Sequence, residues 1–374
     1  MTSISNAGPV VSTARPASRI LHTVTGGDRA NPTSEYSALL QTVRNLGLLR
    51  RRTTFYYVMG GILLAALGGA ITGFVLFGDS WYQLLIAGAL GIILTQFAFL
   101  AHEAAHRQVF ESGPLNDKVG RIIANGVVGI SYNWWMRKHS RHHSNPNTIG
   151  KDPDVENDII VFQAEEAAKV SWIHSLITRK QGWLFFPLLT LEGLNLHVLA
   201  LRHLFSREEV KDRWTELGLI TLRFAVVLTP VFLFLPLGMA FAFVGVMLAV
   251  FGVYMGASFA PNHKGMPVIA ADAKLDFFTK QVRTSRNITG GWWATVLMGG
   301  LNYQVEHHLF PNMPRPHLAR AAEIVREHSN TLGVPYTETS LLRSYAIVIR
   351  YLNRVGLAAR DPFECGMVTR FRRG

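Results

Sequence analysis

Residues 54–77, TFYYVMGGILLAALGGAITGFVLF, run without a single charged side chain. A run of ~20 apolar residues matches the hydrocarbon thickness of a bilayer. Inside lipid the backbone must satisfy itself, so only a helix or a closed barrel can cross. The run does not alternate polar with apolar residues, which leaves the helix. A second such run, 81–101, follows the short break Gly78-Asp79-Ser80. Another pair occupies 216–236 and 238–260, divided by Leu235-Pro236-Leu237-Gly238. Arg223, near the start of the third run, is read as a snorkelling side chain. The expectation is an all-α integral membrane protein with four transmembrane helices in two hairpins.

Composition agrees, since 49% of the 374 residues are apolar or aromatic, 17% are charged and the mean hydropathy is +0.19. That is too apolar for a disordered chain. The formal charge of +12 on such a chain points to anionic lipid head groups rather than nucleic acid. Every Lys and Arg falls in 1–52, 107–223 or 264–374, so neither short hairpin loop carries one. By the positive-inside rule both termini and the middle loop face the cytoplasm. The stretch 183–201 is apolar enough to suggest a fifth crossing, but Pro187, Glu192, Asn195 and His197 interrupt it. It is read as a helix lying in the interface, as is 290–302 with Trp292 and Trp293 at head-group level. Residues 1–34 read as a disordered leader and 361–374 as a basic tail, leaving 35–360 as the folded domain. The one cysteine, Cys365, excludes an internal disulfide, a zinc ribbon and a cysteine-ligated iron–sulfur cluster.

Seven of the fourteen histidines fall in three boxes: HEAAH with His102 and His106, HSRHH with His139, His142 and His143, and QVEHH with His307 and His308. Spacings of three and four residues place the rings of a box on one helix face. The second and fourth runs both travel inward, delivering His102 and His106, and then His263, to the side that carries the other two boxes. An intervening fifth span would separate them. Eight imidazoles exceed one metal's capacity, about four for zinc and six for octahedral iron, so two metals are the economical solution. Imidazole suits iron, copper or zinc.

HEAAH, HSRHH with the following SNPNTIGKDPD, and QVEHHLFP at 304–311 resemble the three histidine boxes of the membrane fatty acyl desaturases, in the branch whose third box begins with Gln. The likeness extends over most of residues 35–355. It implies a cytoplasmic helical cap carrying a di-iron site, with His102, His106, His139, His142, His143, His307 and His308 as ligands and His263 as the additional one. It also implies an acyl chain in a buried tunnel and oxygen-dependent insertion of a cis double bond. Gln304 is read either as a weak ligand or as a hydrogen-bond partner of one. The HPGG haem signature of cytochrome b5-type fusions does not occur, so the resemblance implies a separate donor, a ferredoxin or a flavin/iron–sulfur reductase. The expected substrate is a long-chain acyl group, as a coenzyme A thioester first and an acyl lipid second, with a Δ9 position first and a front-end Δ6 position second. Hydroxylation on the same metals is the alternative within oxygen chemistry, and a zinc-binding membrane transporter the alternative of another class.

Other residues have plainer readings. HEAAH has the HExxH form of zinc proteases, but that motif leaves six of the eight histidines without a role. Glu103, Asp152, Asp154 and Glu306 are candidates to orient ligand rings, or are solvated and capping carboxylates. Arg107, Lys138, Arg141 and Lys264 are candidates for substrate phosphates. His22, His174, His197, His203, His317 and His328 are read as surface or interfacial, and Trp134 and Trp135 as interfacial anchors rather than tunnel wall. Asn287-Ile-Thr289 is an inert glycosylation sequon, and Gly60, Gly61, Gly68, Gly69 and Gly73 are read as sites of close helix packing.

Overall fold

The computed structural model describes residues 20–21 and 32–360. In chain order, β1 (Ile20–Leu21), α1 (Pro32–Asn45), α2 (Thr53–Phe77), α3 (Gln83–Ala105) and α4 (Gly113–Arg121) lead into a π-helical stretch, Ile122–Val128. Next come α5 (Tyr132–Ser144), α6 (Ala164–Ala167), α7 (Trp172–Thr178), α8 (Gln181–Leu204), α9 (Arg213–Phe234) and α10 (Leu237–His263). The last part holds β2 (Val268–Ile269), α11 (Phe277–Thr284), β3 (Asn287–Thr289), α12 (Trp292–Leu297), α13 (Gln304–Leu309), α14 (Leu318–Thr331), β4 (Glu338–Ser340) and α15 (Leu341–Leu357). The strands form two small parallel pairs, β1 with β2 and β3 with β4. Within 1–34, which the sequence reads as unstructured, Ile20 and Leu21 thus pair with Val268 and Ile269, and α1 begins at Pro32. Residues 361–374 and His22 lie outside the described residues.

The four apolar runs correspond to α2, α3, α9 and α10, whose ends differ from the expected ones by a few residues. A fifth helix, α8, is also long and apolar enough to cross a membrane. Pro187 does not break it, because it sits in the second turn, where the missing N–H deletes one hydrogen bond near the helix start. The start of α8 is tied to α15, through Gln181 Nε2 to Leu352 O at 3.0 Å. In turn α15 is tied to the end of α10, through Ser344 Oγ to Pro261 O at 2.7 Å. Four residues past the end of α8, Glu208 pairs with Arg137 of α5. Asn133 of α5 donates to Lys211 O at 2.6 Å.

Of the glycines of the first run, Gly73 packs closely, since a Cβ there would meet Ile86 Cδ1 of α3 at 2.7 Å. Gly61, Gly68 and Gly69 face open space. A Cβ on Gly91 of α3 would meet Met247 O of α10 at 2.8 Å, and one on Gly193 of α8 would meet Leu248 O at 2.1 Å. These contacts hold α3 and α8 against α10, the arrangement small residues permit in membranes. One apolar core, including Leu94, Phe97, Leu100, Phe243 and Phe251, fills the bundle. A second, including Leu39, Val43, Phe278, Leu309, Phe310 and Val325, joins α1, α11, α13 and α14.

Arg223 does not snorkel. It is 9% exposed, and its Nε donates to Val127 O in the π-helical stretch. His197, read as interfacial, is equally buried, with ring nitrogens at Gly193 O (2.6 Å) and Val128 O (3.3 Å). Both side chains meet carbonyls at the end of the π-helical stretch, where backbone acceptors lack helical partners.

Candidate metal centre

Four segments bring the histidines together. His102 and His106 share a face in the last turn of α3, and His263 ends α10. The start of α5 is capped by Ser131, whose Oγ accepts from Trp134 N at 3.2 Å, and its last turns present His139, His142 and His143. Gly300, with φ of 85° and Arg315 packed against it, turns the chain toward α13, which carries His307 and His308.

The rings form two groups. His102, His106, His139, His143 and His307 each offer a nitrogen within 4.8 Å of the others, and His142, His263 and His308 do the same. His139 Nε2 lies 2.8 Å from His106 Nε2 and 3.1 Å from His102 Nε2, while His142 Nε2 lies 3.3 Å from His263 Nε2. Among the described residues, Nε2 of His307, Nε2 of His308 and both nitrogens of His143 are buried with no hydrogen-bond partner. Buried polar atoms left so cost about 1–3 kcal/mol each, and here they converge on one another. Lone pairs facing a common point are what a bound cation would satisfy, so the residues fit a pair of metal ions. Burial first, then neighbouring imidazoles, holds His139, His143, His307 and His308 well below the usual imidazole range, leaving them neutral donors.

In the group of three, each Nδ1 is engaged from outside. Asp152 meets His142 Nδ1 at 3.0 Å through both carboxylate oxygens. Thr284 O meets His263 Nδ1 at 3.0 Å, and Gln281 Oε1 meets His308 Nδ1 at 2.9 Å. These acceptors put the proton on Nδ1 and turn Nε2 inward. For His142 burial opposes the charged form, but Asp154 and Asp152 outweigh it and the net shift is upward.

Gln304 belongs to the same surroundings. Asn262 Nδ2 donates to Leu301 O and to Gln304 Oε1, both at 3.0 Å, and the two acceptors fix the orientation of both amides. Gln304 therefore turns its NH2 toward His263 Nε2, at 2.8 Å. Of the two readings of Gln304, this favours the hydrogen-bond partner, since an amide binds metal through oxygen and that oxygen is engaged.

The other acids divide. Asp152 orients a ring directly, while Asp154 approaches His142 at 3.5 Å and pairs with Lys138 at 3.0 Å. Glu103 touches no histidine: Arg315 Nε donates to it at 2.8 Å and Tyr56 hydroxyl at 3.2 Å, all three being buried. Glu306 accepts from Asn287 Nδ2 (2.7 Å) and Tyr336 hydroxyl (2.8 Å), and burial pushes its carboxyl up to about 7. Asn287 of the sequon is buried and holds Glu306. Of the cations considered for phosphate, Arg141 pairs with Glu156 and Lys264 lies over the Phe162 ring, so with Lys138 three of the four are engaged. Trp135 stacks on His139 at 4.3 Å between ring centroids, and Trp134 packs on the bundle core, so neither is a simple interfacial anchor. Tyr56, Arg315, Gln281 and Asn262 carry no spacing signal in the sequence, because their partners lie far along the chain.

A helical membrane-type chain with imidazoles gathered into two metal-sized groups defines a histidine-rich metalloenzyme scaffold. The profile of the fatty acid desaturase family matches residues 79–340, and the chain belongs to that family. It is an oxidoreductase, a fatty acid desaturase. Among its relatives, the Delta(8)-fatty-acid desaturase of Helianthus annuus is 29% identical over 79% of this chain and 67% of the relative. The acyl-lipid (9-3)-desaturase of Borago officinalis is 30% identical over 77% and 67%. The Delta(6)-fatty-acid desaturase fat-3 of Caenorhabditis elegans is 26% identical over 86% and 74%.

Proposed function

We propose that the chain is a di-iron desaturase that inserts a cis double bond between an existing double bond and the carboxyl end of a long acyl chain. The observation that carries this is the convergence of eight imidazoles, six buried and two half-buried, into groups of five and three, several with nitrogens that no atom of the described residues satisfies. Five imidazoles in one group exceed the four-coordinate habit of zinc, and a donor set without thiolate suits redox iron. The names of the relatives, which act at Δ6, Δ8 or 9-3 positions, favour a front-end position over the Δ9 first expected, and an acyl lipid over a coenzyme A thioester.

The proposed ligands are His102, His106, His139, His143 and His307 for one iron and His142, His263 and His308 for the other. The irons supply the dioxygen activation that an unactivated methylene requires. Asp152, Thr284 and Gln281 would hold the three rings of the second group in one tautomer, Trp135 would exclude water beside His139, and Gln304 would release the His263 Nε2 lone pair to the ion.

Four crossings, with both termini and the site on the cytoplasmic face, remain the preferred topology. Both ends of α8 are bonded to elements that carry or support the histidines, α15 at one end and α5 at the other. A crossing helix would have its ends on opposite faces. Expression in a host lacking polyunsaturated lipids, followed by gas chromatography with double bonds located by derivatisation, tests the reading. A new front-end double bond and two irons per chain are expected; a hydroxylated product or a lone zinc refutes it.

A further inference from the structure

Desaturation draws two electrons from outside the substrate at each turnover: R–CH2–CH2–R′ + O2 + 2 e− + 2 H+ gives R–CH=CH–R′ + 2 H2O. Two one-electron donor molecules are oxidised for each double bond, and the resemblance described above implies that they come from a separate protein. This inference rests on the desaturase reading and concerns where those electrons enter.

Helix α11 forms part of the wall between solvent and the histidines. Its inner face is bonded to three boxed or ligand-type histidines: Gln281 Oε1 to His308 Nδ1 (2.9 Å), Gln281 Nε2 to His143 O (2.8 Å) and Thr284 O to His263 Nδ1 (3.0 Å). On the outer side stand Lys280 and Arg283, three residues apart, and Phe277, which is 41% exposed. Lys151, from the loop after α5, lies close enough for its charge to act on Lys280. The two ammonium groups bond only to carbonyls, Lys280 to Ser144 O and Lys151 to Ala271 O, each at 2.9 Å. Among the described residues, Lys151, Lys280 and Arg283 form no ion pair. The neighbouring acids are occupied: Asp276 caps α11 by accepting from Thr279 N at 2.8 Å, and Glu156 pairs with Arg141 at 3.1 Å. Like charges left side by side, with carbonyls as their only acceptors, are a standing electrostatic cost that an incoming anionic surface removes. A small charged patch around one exposed aromatic ring also suits the brief, small-area encounters of electron transfer.

We propose that the outer face of α11, with Lys280, Arg283, Phe277 and the adjacent Lys151, docks a one-electron donor protein through an acidic surface. Gln281 then spans the wall behind the patch, holding the His308 ring and the His143 backbone directly beneath the docked partner.

The test uses the full chain in nanodiscs, an acidic [2Fe–2S] ferredoxin as probe and a zwitterionic viologen as a small reductant. Binding is read by titration with and without iron, and iron reduction by anaerobic stopped flow. The expected result is that Lys280→Glu with Arg283→Glu weakens ferredoxin binding and slows its reduction of the irons about 10-fold or more at low salt. Wild-type binding should weaken with ionic strength. Iron content and viologen-driven reduction stay at wild-type values. Lys280→Gln with Arg283→Gln, which adds no charge, should give a smaller loss of the same kind and covers the case in which the glutamate variant loses iron. Unchanged ferredoxin binding, or equal slowing with both reductants, overturns the docking surface. Failure of wild-type protein to form a double bond even with viologen would instead refute the desaturase reading.

Discussion

Replacing Arg315 by leucine leaves Glu103 buried beside α3 without its partner. The pair is bidentate in character, with Arg315 Nε 2.8 Å from Glu103 Oε1 and both side chains about 5% exposed or less. Removing one member of such a pair costs about 3–5 kcal/mol, because the remaining charge loses its compensation while staying out of water. Against a total stability of ~5–15 kcal/mol this is a large fraction. At ~2 °C per kcal/mol the midpoint of thermal unfolding should fall by about 6–10 °C. The pair also joins box one on α3 to the segment after box three, so iron should be lost before unfolding completes. Glu103→Gln in the same chain removes the stranded charge and should recover most of the stability. Fluorescence-detected unfolding in detergent, with iron measured in parallel, reads both effects. If Arg315→Leu alone shifts the midpoint by less than about 2 °C, or if the double variant is no better than the single one, the pair is not what fastens the two boxes.

His307→Ala and His263→Ala strike different groups, and each should reduce iron toward one equivalent per chain while leaving membrane insertion intact; two irons in either variant would remove that residue from the ligand set. Gln304→Ala should keep both irons yet lose most activity, and a drop in iron content would make Gln304 a ligand after all. Arg223→Leu leaves Val127 O without its donor and should cost about 1–3 kcal/mol, read as a lower unfolding midpoint; an unchanged midpoint would show that another group serves that carbonyl. With Cys365 replaced by serine, a cysteine at Ser80 should label from outside and one at Glu209 only from the cytoplasm. Labelling of Glu209→Cys from outside would establish α8 as a crossing helix.

The long apolar runs were legible because lipid imposes one requirement, length without charge, that does not depend on tertiary partners. The histidine boxes were legible for a related reason: helical spacing places His102 beside His106 and His139 beside His142 and His143 without reference to the rest of the fold. What escaped was everything that depends on distant pairing. Arg223 looked like a snorkelling cation because nothing local reveals that a π-helical stretch 96 residues away offers it a carbonyl. The glycines of the first run looked like packing sites, but only the facing helix decides which glycine is approached, and that is Gly91 rather than Gly68. Arg315 and Gln281 were silent in the sequence although they fasten the centre, since each meets its partner through tertiary structure alone. Even α8 was half legible: its apolarity was plain, but its path depends on what grips its two ends.

The two sets of rings differ in what stands behind them. Every imidazole in the trio is braced from the rear by a carboxylate, an amide or a peptide carbonyl, whereas His143 in the quintet has nothing against either nitrogen. A braced ring loses little freedom on gripping an ion, and an unbraced one must be immobilised by the ion itself. The trio is therefore a ready-made socket, while in the quintet the His143 ring waits on the occupant, so a chelator should strip the chain in two separable phases rather than one.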